Sequence, residues 1–134
     1  MAFLIGAVLA LSVGLFATFL GLDRDRAFYP TVMVVIASYY ALFAVIGGSV
    51  HVLAIESIAI LGFLGLSAVG FRTSLWLVVV ALAAHGLYDS IHGHLISNPG
   101  VPAWWPPFCL SYDVVAAAYL AWLLSRSRVR SAAT

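Results

Sequence analysis

His85-Gly86-Leu87-Tyr88-Asp89-Ser90-Ile91-His92-Gly93-His94 lies within or at the end of an apolar run that begins near Ser74, and its reading decides the fold. Three of the four histidines and one of the five acids fall in these ten residues. On a helix, His85, Asp89 and His92 follow i, i+4, i+7 and share one stripe. In an apolar solvent such side chains are costly and default to a functional site. If the run crosses a bilayer, everything else in the chain must help to shelter them.

The surrounding composition says that the run does cross one. Of 134 residues, 64% are hydrophobic and 8% charged, so there is too little charge to cover a soluble domain. The mean hydropathy is +1.11. Several apolar runs of about 20 residues match the thickness of a bilayer. No lysine occurs, and no basic stripe suits a nucleic acid. The single Cys109 excludes an internal disulfide and a CxxC redox pair. The first apolar stretch lacks a basic leader and a small-residue cleavage site, so it reads as a span and not as a signal peptide.

Five spans are expected, giving an all-α polytopic membrane bundle. They run roughly Ala2 to Leu22, Ala27 to Ile46, Ser49 to Gly70, Ser74 to Ile96, and Phe108 to Leu124. Residues 1–125 form one bundle in this reading, and 126–134 a short cytoplasmic tail that is disordered at its end. Gly6, Ala10, Gly14 and Thr18 repeat every four residues along the first span, a stripe that permits close helix approach. The stripe suits a second copy of the chain as well as the bundle itself, so a homo-oligomer is open. Gly47-Gly48 permits a tight reversal. Between Ser97 and Pro107, four prolines and Trp104-Trp105 read as a structured cap on the membrane surface. All six arginines lie outside the spans, at the first and third connections and in the tail. The positive-inside rule then puts the N-terminus outside and the C-terminus in the cytoplasm, for a multi-pass protein of the inner (plasma) membrane.

This topology sets the polar residues at one level. Counting from the outer ends, Glu56, Asp89 and Asp113 lie about 10, 11 and 8 Å deep. Tyr39 and Tyr40 lie about 10 Å deep, His92 about 6 Å and His85 about 17 Å. No arginine is at hand to pair with the three acids. Protonation, pairing with His⁺, or a shared cation would relieve them. A divalent metal does so most simply, with Zn²⁺ the usual choice for a His/Asp set. The candidate ligands are His85, Asp89 and His92. The i to i+7 separation of about 10.5 Å lets His85 or His92, but not easily both, share an ion with Asp89. Cys109, one turn before Asp113, could add a thiolate. His51 and His94 lie near the surface.

The function expected first is a metal-dependent hydrolase acting on a lipophilic small molecule, with Glu56, Asp89 and Asp113 as the catalytic acids. The His and Asp ligands set in a helix bundle are similar in kind to those of membrane ceramidase-like hydrolases, but span count and motif spacing differ and no residue roles carry over. The alternative is a metal-free acid/base isomerase or cyclase acting on a sterol-like or terpenoid substrate. There a buried carboxylic acid donates a proton, and aromatic faces such as Tyr39, Tyr40, Tyr88, Tyr112, Trp104 and Trp105 stabilise a cation. In either case Tyr39, Tyr88, Tyr112 and Trp105 are the expected substrate contacts. A third reading is a haem- or metal-binding membrane protein without catalysis, with His51 and His92 as the haem pair.

Overall fold

A computed structural model describes residues 1–129. These residues form five helices: α1 (Ala2–Leu20), α2 (Phe28–Ile46), α3 (Val50–Arg72), α4 (Trp76–Leu95) and α5 (Trp105–Ser125). Four of them, α1, α2, α3 and α5, are long and apolar enough to cross a membrane. The histidine-bearing α4 falls outside that set. Its three histidines, its aspartate and its two glycines account for the lower hydropathy.

The helix ends follow local chemistry. Gly21 closes α1 with φ 78° in a left-handed cap, where a side chain would be strained. Ser49 caps α3 by accepting a hydrogen bond from the Val52 N–H. Pro106 and Pro107 fall in the first turn of α5, where their missing N–H groups leave no helical bond unmade. The helix therefore starts at Trp105 rather than near Phe108, and part of the expected cap is helical.

The connections sort to two ends of the bundle. Arg26, in the first connection, donates to the carbonyls of Gly70 at 3.3 Å and Phe71 at 2.7 Å, at the end of α3. Gly100, in the fourth connection, packs against Phe43 and Gly47 at the end of α2. A Cβ on Gly100 would lie 1.9 Å from the Phe43 carbonyl oxygen, so only glycine fits there. The helices thus alternate in direction, with Arg24, Arg26 and Arg72 gathered at one end.

α5 packs on both α1 and α4, while α2 packs chiefly on α3. The stripe on α1 is used within the chain: Gly6, Ala10 and Gly14 are buried. Gly6 faces Phe108 and Ser111, and Gly14 faces the Tyr119 ring. Thr18 continues the stripe with hydrogen bonds to Asp23 and Tyr119.

The exterior is far more apolar than that of a water-soluble protein, and several ionisable groups lie inside an otherwise apolar core. Phe19, Val50 and Ile58 are 86%, 81% and 74% exposed, along with many other large apolar side chains. Glu56, His85, Asp89, His92 and Asp113 are all essentially buried. Apolar groups outside and charged groups inside suit lipid as the solvent. The Arg126–Arg128 segment carries on past α5, and Val129 is buried against the bundle. The expected disorder at the end of the tail, including Arg130, lies outside the described residues.

Candidate metal centre

Three helices build the central cluster. α4 contributes His85 and Asp89, one turn apart, and α5 contributes Cys109 and Asp113, likewise one turn apart. A spacing of four residues puts each pair on one face. Close approach of the two helices lets the faces meet, since a Cβ on Gly86 would lie 3.2 Å from that of Asp113. α2 supplies Tyr40, whose hydroxyl donates to Asp89 Oδ1.

His85 Nδ1 sits 2.7 Å from Asp113 Oδ2. The ring nitrogen and the carboxyl group share one proton in this contact. Asp89 Oδ2 lies 3.4 Å from the same nitrogen, in ion-pair range but making no hydrogen bond. His85 Nε2, Asp89 Oδ2 and Asp113 Oδ1 are buried without a hydrogen-bond partner among the described residues. Asp89 and Asp113, both facing His85 Nδ1, thus each keep one buried carboxylate oxygen without a donor, where such atoms are nearly always paired.

His85, Asp89, Cys109 and Asp113 each offer a ligand atom, and these atoms all lie within 4.8 Å of one another. Adjacent ligands of a tetrahedral zinc, each about 2.0–2.3 Å from the ion, are separated by about 3.3–3.7 Å. The cluster could therefore hold a metal ion after small side-chain shifts. All four residues are buried.

A second polar group lies beside the first. His92 Nε2 is 2.8 Å from Glu56 Oε1 on α3. The same carboxylate oxygen accepts from Asn98 Nδ2 at 2.9 Å, and Oε2 accepts from the Tyr88 hydroxyl at 3.4 Å. Asn98 belongs to the α4–α5 connection and reaches into the bundle. It also donates to the Tyr40 carbonyl at 3.3 Å and accepts from the Gly100 N–H. Tyr40 joins the two groups, because its ring stacks on His92 at 4.0 Å while its hydroxyl holds Asp89.

The expected residues thus divide. His85, Asp89 and Asp113 come together, with Cys109. His92 and Glu56 form their own pair on the other side of Tyr40. Among the aromatics, Tyr88 belongs with Glu56. Tyr39, Tyr112 and Trp105 line a cleft of about 330 Å³ between α1, α2 and α5. His51 and His94 are exposed.

One residue of the site, Asn98, is absent from the sequence reading, and a second, Tyr40, enters it only as an aromatic face. Asn98 is a neutral side chain in a proline-rich connection, and nothing in its neighbourhood marks it as buried. The sequence separates Tyr40 from Tyr39 only by helical phase, and it is Tyr39 that is expected as a substrate contact. The helical phase of α2 could have separated them: Met33, Ile36, Ala37, Tyr40 and Ala44 share its buried face.

Compared with known proteins, the chain matches no protein-family model, no curated protein and no solved structure.

Proposed function

We propose that the chain is an integral membrane metalloenzyme of the hydrolase type. His85, Asp89 and Asp113 hold one divalent cation, zinc by donor preference, beside Cys109. α4 crosses the bilayer with the other four helices, and the arginine-bearing end faces the cytoplasm. The observation that carries the reading is the buried cluster of four candidate ligands, His85, Asp89, Cys109 and Asp113, whose ligand atoms lie within 4.8 Å of one another.

Charge supports the three-ligand set. Two aspartates, a neutral imidazole and a divalent ion sum to zero, whereas adding a thiolate leaves a net negative charge in an apolar interior. Three protein ligands also leave the fourth position open, as in catalytic zinc sites; four would close it, as in structural ones. When bound, such an ion supplies Lewis acidity and an activated water. The chain's own groups do the rest. Tyr40 fixes Asp89 through its hydroxyl, and Glu56 with His92 forms the acid/base pair. In ester hydrolysis, water adds at the carbonyl carbon, its proton passes to the base, and the C–O bond breaks. The alkoxide leaves with that proton, giving an acid and an alcohol. The substrate is lipophilic because the surface around the site faces lipid.

The test is turnover of a panel of p-nitrophenyl acyl esters and acyl anilides by purified full-length protein, stripped with chelator and then reloaded with Zn²⁺. Release of acid that requires the metal and is lost in Asp89→Ala is expected. Loaded, folded protein that cleaves none of them contradicts the hydrolase reading. Chelator-insensitive conversion of a terpenoid substrate would establish the metal-free isomerase in its place.

A further inference from the structure

At the arginine-bearing end of the bundle, a groove of about 470 Å³ runs between the start of α2 and the end of α3. Ala27, Thr31 and Val34 line it on one side, and Leu64, Ala68 and Phe71 on the other. Leu64, Ala68 and Phe71 follow i, i+4, i+7 and share one stripe of α3. Thr31, Ala68 and Phe71 are exposed, so the groove opens sideways toward lipid. Its walls are mainly apolar and name no occupant by themselves. The charge at its end does.

Arg26 and Arg72 stand at that end. Arg26 donates to the carbonyls of Gly70 and Phe71, which fixes its guanidinium beside the last groove residue of α3. Arg72 lies one turn beyond Ala68 and extends the same stripe. It is exposed and makes no hydrogen bond or ion pair among the described residues. Two carboxylates lie at this end, and neither pairs with Arg72. Asp23 is buried, with the Thr18 hydroxyl donating to it at 2.6 Å. Asp25 accepts from the Ala27 N–H at 3.1 Å, at the start of α2.

Arg24 shares this end. Arg126 and Arg128 follow α5 there too, because Thr18 near the end of α1 meets Tyr119 on α5 at 3.1 Å. Among the described residues, five arginines thus stand against two aspartates, and the opposite end carries no arginine. A guanidinium offers paired N–H groups to phosphate oxygens, and the adjoining groove offers an apolar wall to a chain. A zwitterionic head brings a cation of its own to an end already rich in them, so a net anionic head is selected.

We propose that an anionic phospholipid of the arginine-side leaflet binds here, with one acyl chain in the groove between α2 and α3 and its phosphate on Arg72, in the positive field of Arg26. The binding depends neither on the metal centre nor on which side of the membrane this end faces.

Photo-crosslinking of the purified full chain in maltoside micelles tests this. The probes are phosphatidylglycerol, which is anionic, and phosphatidylcholine, which is zwitterionic, each with the same diazirine-bearing acyl chain. Phosphatidylglycerol is expected to label peptides that carry residues 27–34 and 64–71, and phosphatidylcholine to label them several-fold less. Arg72→Gln should raise the phosphatidylglycerol concentration for half-labelling about 10-fold, the loss of one hydrogen bond to a charged group. Arg128→Gln removes a charge from the same end, on a helix that does not line the groove, and should change it less than about 2-fold. Ala68→Trp fills the groove from an exposed position and should abolish the labelling. Val69→Trp, its exposed neighbour outside the groove, should leave it unchanged. Equal labelling by both lipids or labelling insensitive to Ala68→Trp overturns the proposal. Equal losses in Arg72→Gln and Arg128→Gln overturn it by showing a diffuse field in place of a site. Displacement of the probe by water-soluble glycerol phosphate at the lipid's own concentration overturns it in favour of a soluble phosphate ligand.

Discussion

At the scale of single residues, the site depends on who holds whom. Tyr40 is held from three sides: its hydroxyl by Asp89, its ring by His92, and its carbonyl by Asn98. Tyr40→Phe keeps the ring but strips Asp89 of its donor. The expected loss is about 1.5–3 kcal/mol, the range for a hydrogen bond to a charged group, read as a lower Tm in detergent. Asn98→Ala leaves Glu56 with one fewer buried donor and should cost about 1–3 kcal/mol in the same assay. An unchanged Tm in both would mean that the network carries no load. Cys109→Ser discriminates the ligand sets. The three-ligand reading expects metal to stay bound, while a closed four-ligand site would release it. The acids and His85 could be picked out of the sequence because ionisable groups stand out in an apolar run. The division of His92 from His85 was partly legible, since about 10.5 Å of helical rise separates them. The partner that takes His92 was not legible, because it depends on how α3 is placed beside α4.

Elements raise a different question, namely which faces are in use. A Cβ on Gly6 would lie 2.2 Å from the Phe108 carbonyl and 2.3 Å from Ser111 Oγ, so Gly6→Ala must push α1 off α5. A cost of about 1–3 kcal/mol is expected from such overpacking, seen as a lower Tm. Gly62 on α3 has nothing within 4 Å of the same position, and Gly62→Ala should leave the Tm unchanged or slightly raised. If Gly62→Ala were instead the damaging change, the α1–α5 contact would not be the structural use of these glycines. The small-residue period of α1 was visible in the sequence. Its choice of α5 over a second copy was not, since a stripe names no partner. The start of α5 was misplaced for a definite reason. Prolines signal a break in most contexts, but at a first helical turn they cost nothing.

For the whole molecule, the organising fact is a buried polar cluster set within an otherwise apolar helix bundle. That much follows from composition, and the five helices fall close to the expected spans. Orientation rests on arginine placement alone. His51→Cys in intact cells is expected to react with a membrane-impermeant maleimide, and Asp25→Cys to be protected. The opposite pattern would invert the topology without disturbing the site. Acidity bears on the whole assembly through the ligands, which must shed protons to bind a cation. Metal should therefore be retained near neutral pH and released as the pH falls, and retention that rises on acidification would contradict ligation by these residues.

The most direct measurement is elemental analysis of purified full-length protein alongside Asp113→Asn and His92→Gln. One equivalent of a divalent transition metal per chain is expected in the parent protein and in His92→Gln, with loss in Asp113→Asn. Folded parent protein that takes up no metal on exposure to Zn²⁺, or binds it equally well in Asp113→Asn, would contradict the central claim.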